Sequence, residues 1–334
     1  MLELKINRRD FVKAAFFTAL IGVTGCGNSR QSNSANQIRF GLCSDVHKGV
    51  IHNAEERMQA FVDRMNAEKV DFVMQLGDFC SPYADNKTET AEKHAQFLAI
   101  WNQFSGPRYH VFGNHDIDDN FTWEETMAFW GVDKTYYSFD MSGWHFIVLD
   151  GNNKKEGAAE GHPRYIGAQQ RKWLKEDLAK TNSHTFVFSH QSLENPGGLE
   201  NGTEIRGILE GANKEAGFTK VVASFSGHHH IDYHTQINGI HYIQINSMSY
   251  QWLGGNYIHK RFSDEVEAAN PWVRYTAPYK DPLYAIVQIG PKGVIEIEGI
   301  KSEYIPPSPA ELGYPQGKEG NRGSAQISDR KLTF

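Results

Sequence analysis

Five apolar runs in this chain each break off into a short turn carrying the same kinds of side chain. Residues 38–43 lead to Asp45-Val46-His47, and 70–76 to Gly77-Asp78. Residues 109–112 lead to Gly113-Asn114-His115-Asp116, 185–189 to His190, and 220–225 to Gly227-His228-His229-His230. Buried-type strands that end in polar turns are how open sheets collect functional groups, because the sheet holds them rigid at a wet edge. Carboxylate, imidazole and amide oxygen together suit Mn, Fe or Zn rather than a thiolate-bound metal. Singly, most of these turns are common; their order and complementary ligand types make the signal.

The segments between the strands fit an α/β class. Met58, Phe61, Val62 and Met65 share one face of a helix over 53–65 that Asn53 is placed to cap. Further helices are expected over 90–104 and 169–180. Hairpins are expected at Ser142-Gly143 and at Asn238-Gly239, the second being the strongest two-residue turn signal present. Strands resume over 284–289 and 294–300. Residues 247–282 interrupt this rhythm with Tyr250, Trp252, Tyr257, Phe262, Trp272, Tyr275 and Tyr279 among Gly, Asn and Pro. They read as an insertion within a domain spanning 37–305, either packed on its own body or standing over the site with stacking surfaces. Residues 306–334, rich in Pro, Gly and polar side chains, are expected to be irregular.

The first 25 residues are set apart from the fold. Adjacent Arg8 and Arg9, an apolar run over 14–23 too short to span a bilayer, and Val23-Thr24-Gly25-Cys26 follow in the order of a twin-arginine export signal with a lipobox. The expectation is a signal peptide over 1–25 and a lipid on Cys26. A flexible tether over 26–36 would then hold the protein on a membrane, facing the periplasm or cell surface. Without residues 1–25 the formal net charge moves from −6 to −8. That balance argues against a nucleic-acid partner, which asks for a basic face. With Cys26 assigned to lipid, Cys43 and Cys80 remain, and buried free thiols are favoured over a disulfide.

The five turns, in this order, resemble the signature of the calcineurin-like metallophosphoesterase superfamily. The resemblance spans roughly 38–246. It implies an αββα sandwich of two mixed sheets flanked by helices, with a dinuclear metal site at strand ends. It further implies that Asp45, His47 and His230 hold one metal, that Asn114, His190 and His228 hold the other, and that Asp78 bridges them. His115 matches the catalytic acid and Asp116 the carboxylate beside it, expected to orient the imidazole. In the purple acid phosphatase branch a Tyr ligand follows the bridging Asp by three residues. Ser81 stands there in this chain, which departs from that branch.

The implied activity is hydrolysis of a small-molecule phosphate monoester or diester, of nucleotide or sugar-phosphate type. Two transition-metal cations about 3.5–4 Å apart would grip the phosphoryl oxygens and generate a bridging hydroxide. His162, Arg164, Tyr165, Tyr250 and Trp252 are the candidate substrate contacts. A different class would be an inactive metal-binding surface lipoprotein serving as a binding module. Such a scaffold is expected to lack a ligand or the proton donor, and here all seven ligand positions and His115 are present.

Overall fold

The strands alternate faces, and the alternation builds the molecule. In the computed structural model, β1 (Ile38–Cys43) sends Ile38, Phe40 and Leu42 into one apolar cluster and Cys43 into another. The same period-two split recurs in β2 (Phe72–Gln75), with Phe72 and Met74 on one side and Val73 on the other. β1 and β2 pair in parallel, as do β2 and β3 (Arg108–His110). On the other flank β12 (Ala285–Gly290), β13 (Val294–Glu298) and β14 (Arg330–Thr333) add antiparallel, giving the order β14-β13-β12-β1-β2-β3.

A second six-stranded sheet faces it. Its order is β4-β5-β6-β7-β9-β8, from β4 (Tyr137–Met141), β5 (Trp144–Val148), β6 (Thr185–Phe188), β7 (Val221–Ser226), β8 (Tyr233–Ile237) and β9 (Ile240–Gln244). β5, β6, β7 and β9 run parallel, and the edge pairs are antiparallel hairpins. Phe40, Phe72, Phe146, Phe188 and Phe225 meet between the sheets, where Phe40 and Phe72 stack at 4.6 Å. Each such side chain contributes about 1.5–3 kcal/mol by leaving water.

Helices cover both outer faces. α1 (Ala54–Glu68) and α2 (Lys87–Trp101) bury Phe61, Met65, Phe97 and Trp101 against the first sheet. α4 (Ala168–Lys180) and α5 (Gly202–Ala216) bury Leu174, Leu178, Ile205 and Leu209 against the second. Three apolar clusters separating four layers make an αββα sandwich, as the sequence led us to expect. The structure describes residues 36–81, 86–117, 121–157, 161–315 and 323–334. The signal peptide and all but the end of the tether therefore lie outside the described residues.

The helices depart from the sequence reading at three places. α5 carries no clear helix signal in the sequence, because Gly207 and Gly211 in its interior lower its propensity by about 1 kcal/mol each; burial of Ile205 and Leu209 one turn apart overrides them. α3 (Trp123–Trp130) was not foreseen either, although Thr122 and Glu125 form a reciprocal capping box. Asn53 occupies the N-cap position of α1 but makes no cap; its Oδ1 accepts from Arg57 Nε at 2.9 Å. Arg57 also donates to the carbonyls of Met248 and Tyr279, tying α1 to both ends of the aromatic segment.

The C-terminal segment, expected to be irregular throughout, supplies the edge strand β14. Ile327 enters the inter-sheet core, Asn246 Nδ2 donates to the carbonyls of Ser324 and Gln326, and Asp232 accepts from Ser328 and Arg330. Lys331 and Leu332 alternate outward and inward. Four residues were too short a pattern to stand out after a Pro- and Gly-rich stretch.

Candidate metal centre

The parallel strands of both sheets deliver their C-terminal turns to one place. The Asp45 N–H donates to the Gly77 carbonyl and the His47 N–H to that of Asp78, both at 3.0 Å. From the other sheet, the Gly227 N–H reaches the His190 carbonyl at 3.0 Å, and the His228 N–H reaches both Asp45 carboxylate oxygens. A side chain at Gly113 would collide with the Asp78 backbone and carboxylate, and one at Gly227 with Ser44 and Asp45. Those glycines are required by close approach.

This convergence strains the backbone. Among the described residues eight non-glycine residues have positive φ, and five of them are Asp45, His47, Asp78, His228 and His230. The other three sit at a helix end or in hairpin turns, where that conformation is routine. Left-handed backbone costs a β-substituted residue about 1–3 kcal/mol, and it persists where function holds it.

The side chains then crowd together. His47 Nε2 lies 3.2 Å from His230 Nε2, and His230 Nε2 lies 3.2 Å from Asp45 Oδ1. Asp78 Oδ2 stands between two imidazoles, 3.6 Å from His47 Nε2 and 3.1 Å from His190 Nε2. His228 Nδ1 is 3.3 Å from His190 Nε2. Ligands bonded to one cation at about 2.0–2.2 Å stand roughly 3.0–3.5 Å from each other, which is the spacing seen here. Among the described residues three overlapping sets of donors result: Asp45–His47–His230, Asp78–His190–His228, and His47–Asp78–His115.

The outer nitrogens are already committed. His47 Nδ1 pairs with Ser81 Oγ at 2.9 Å, His190 Nδ1 with the Leu76 carbonyl at 2.8 Å, and His230 Nδ1 with the Tyr250 carbonyl at 3.0 Å. Each contact orients its ring and leaves Nε2 facing the cluster. Asn114 is 4 % exposed, faces the same cleft, and its amide oxygen has no hydrogen-bond partner. A buried, unpaired acceptor lining the cleft with these imidazoles and carboxylates suits a cation.

Burial and charge set the protonation of the metal-free cluster. Burial pushes His47 down to about 3 and His228 well below its usual value. For His190 burial acts the same way, but Asp78 and Asp45 outweigh it and raise the ring to about 9. Asp45 and Asp78 are held below the usual carboxylate range: burial opposes this, and the surrounding imidazoles prevail.

The sequence model of the family described as calcineurin-like phosphoesterase matches residues 38–232, more than half the chain. The chain belongs to that family. It is a metal-dependent phosphoester hydrolase of a family that typically holds two metal ions. A dimetal phosphatase from Danio rerio superposes with TM-score 0.60 at 16% identity, covering 80% of this chain and 98% of the other. GAP50, the anchor in the inner membrane complex of Plasmodium, gives 0.53 at 15% identity over 89% of each chain. At these identities the likeness speaks for the fold. No curated protein matches the sequence.

In this phosphoesterase the cleft over the cluster has a volume of about 640 Å³. His115 lines it, with its ring 5.3 Å from that of His47 and 4.9 Å from that of His162. One His115 ring nitrogen also lies within 4.8 Å of the His47 and Asp78 donor atoms. Of the expected substrate contacts, His162, Tyr250 and Trp252 line the cleft.

Arg164 and Tyr165 do not line it. Arg164 donates to the Gly198 carbonyl, and the Tyr165 ring and hydroxyl are engaged by Arg171. Asp116 needs a correction too. Its carboxylate accepts four backbone N–H groups, from Asp78, Phe79, Cys80 and Gly113, and so pins two turns together instead of orienting the His115 ring. Sequence reasoning offers no cleft role for Ser81, His229 or Tyr314, and offers Trp272 only as one of the aromatics of 247–282. Cys43 and Cys80 are buried and free.

Proposed function

We propose that the phosphoesterase hydrolyses a small-molecule phosphate ester, of nucleotide or sugar-phosphate type, with seven residues holding two transition-metal cations of the Mn, Fe or Zn kind. Asp45, His47 and His230 would hold one, Asn114, His190 and His228 the other, with Asp78 between them. The observation that carries this reading is the unpaired, buried amide oxygen of Asn114 beside imidazole nitrogens whose other ring positions are spent. When bound, the cations supply Lewis acidity to the phosphoryl group and acidify water. The chain's own residues do the rest. Ser81 and the carbonyls of Leu76 and Tyr250 hold three rings in place, and Asp116 fixes the turn that carries Asp78. His115 delivers a proton to the departing oxygen from the cleft wall. The membrane anchor at Cys26 and twin-arginine export belong to the same proposal; they rest on residues 1–26, and the mass of the mature N-terminus tests them.

His115 is the point at which the reading can fail, because its ring is near enough to the cluster to serve as a ligand instead. As a proton donor, His115→Ala keeps both metals. It then slows an alkyl ester by about 10²–10⁴-fold in kcat/KM, and a nitrophenyl ester clearly less, since nitrophenolate leaves without help. Loss of metal with equal damage to both esters would make His115 a ligand.

A further inference from the structure

Two tryptophans stand open to solvent on the rim of the cleft. Trp252 is 43% exposed and Trp272 52%, and they are two of the four exposed large hydrophobic side chains among the described residues. Both line the cleft above the histidine cluster. Their frame is rigid. β10 (Tyr250–Trp252) pairs with β11 (Thr276–Pro278), and the Leu253 N–H donates to the Tyr275 carbonyl at 2.9 Å. Tyr275 stacks on Trp252 at 5.8 Å with planes 7° apart, and the Trp272 ring lies 5.3 Å from Tyr275. Val273, between Trp272 and Tyr275, is anchored in the core.

The strand also sets a distance. Residues two apart on a strand share a face. Tyr250 lies against His47 and His230, with ring separations of 5.3 and 5.0 Å, and so marks the catalytic end. Trp252 follows about 6.6 Å further along the same face. A phosphoryl group at the cluster therefore has an aromatic surface one short linker away. A sugar-sized spacer carrying a flat ring fits that interval. Exposing two large indoles on a hydrogen-bonded frame, beside a site and not over the core, marks a binding surface.

Resting on the phosphate-ester reading above, we propose that the substrate is a phosphate ester whose alcohol carries a planar aromatic ring, and that Trp252 and Trp272 select it by stacking. The shared chemistry is the flat π-face, which a nucleobase or a simple aryl group both present. Stacking is worth about 1–3 kcal/mol per base, so losing it reads as roughly 10- to 100-fold. Trp252 and Trp272 are specificity-determining; the chemistry at phosphorus belongs to the cluster.

The test compares adenosine 5′-phosphate with ribose 5-phosphate, which differ by the base alone, and repeats the pair as methyl diesters. The ratio of kcat/KM within each pair should favour adenosine, and Trp252→Ala or Trp272→Ala should lower that ratio about 10- to 100-fold. Trp→Phe at either position should restore most of it. Phenyl phosphate separates a simple aryl preference from a nucleobase preference. A second readout needs no turnover: adenosine, which carries no phosphate, should quench the indole fluorescence of the metal-loaded protein, and Trp252→Ala should weaken its binding. Adenosine binding without hydrolysis of any ester would sink the phosphatase reading and leave the aromatic site standing. Hydrolysis with equal kcat/KM for both members of each pair, untouched in ratio by the substitutions, would overturn the aromatic site and leave the phosphatase reading standing.

Discussion

Two histidines in this molecule sit between pairs of aspartates, and they are built for different ends. His190 faces Asp78 and Asp45 at the end of β6; His145 faces Asp140 and Asp177 on the second sheet. Both are buried, and both are raised in pKa because their carboxylates outweigh burial. The difference lies in the second nitrogen. His145 places Nδ1 2.8 Å from Asp140 and Nε2 2.9 Å from Asp177, so its two N–H groups are consumed and no lone pair is left for a cation. His190 gives Nδ1 to a carbonyl and turns Nε2 toward Asp78 and His228. An imidazole with one nitrogen on backbone and the other among donors is a candidate ligand. An imidazole with both nitrogens on carboxylates is an ion-pair clamp.

The largest expected effect breaks the His190 side of this comparison. Asp78→Ala removes the carboxylate standing between His47 and His190, and with it the charge that offsets two cations. Metal should be lost from both positions and hydrolysis should fall to background, which metal analysis and an ester assay measure together. Two metals per chain in Asp78→Ala would mean that Asp78 does not bridge.

A smaller effect follows from the protonation of His190. With the ring raised to about 9, a cation arriving below that pH must displace one proton, while His47 and His228 are already neutral and Asp45 and Asp78 ionised. Apparent affinity for Zn should therefore rise about tenfold per pH unit from about pH 7, below which buried Asp116 takes up a proton as well, to about pH 9 and then level. Chelator competition across pH 6–9.5 measures it. A flat profile would place no proton on His190 in the metal-free protein.

How legible each region was depends on whether its signal lies along the chain or across it. The residues of the cluster stand out because each follows a strand within a few residues, so order and spacing survive in the sequence. The same holds for the Asn238-Gly239 hairpin, where both turn residues take positive φ. The role of Asp116 was misread, since its four backbone partners come from two turns whose approach no local pattern reveals. Arg164 and Tyr165 are candidate contacts because the loop over 151–168 holds them with His162, yet Arg171, six residues past Tyr165, engages that ring. The His145 clamp was missed for a similar reason. Asp140 and His145 become neighbours only once the Ser142-Gly143 turn fixes their register, and Asp177 comes from α4.

That clamp provides the smallest and cleanest contrast. Asp140 and His145 are a cross-strand pair, and Asp177 fastens the hairpin to α4 with help from Ser138 Oγ. His145 is 5% exposed, so a charge-assisted pair there is worth about 1–3 kcal/mol, whereas Asp140, 73% exposed on its side chain, adds little. Because the folded-state pKa of His145 is raised, its contribution is complete below about pH 6.5 and fades as pH rises through the folded value. Asp177 is shifted downward, so its part holds above about pH 4 and fades as pH falls through its folded value. The stability gap between the native chain and His145→Gln, read from urea unfolding, should thus be widest between about pH 4 and 6.5 and shrink in alkali. Asp177→Asn should cost more than Asp140→Asn. Metal content should match the native chain in all three variants, since no nitrogen of His145 is free to reach a cation. A gap independent of pH would show that His145 is held neutral, and a change in metal content would erase the distinction between clamp and ligand.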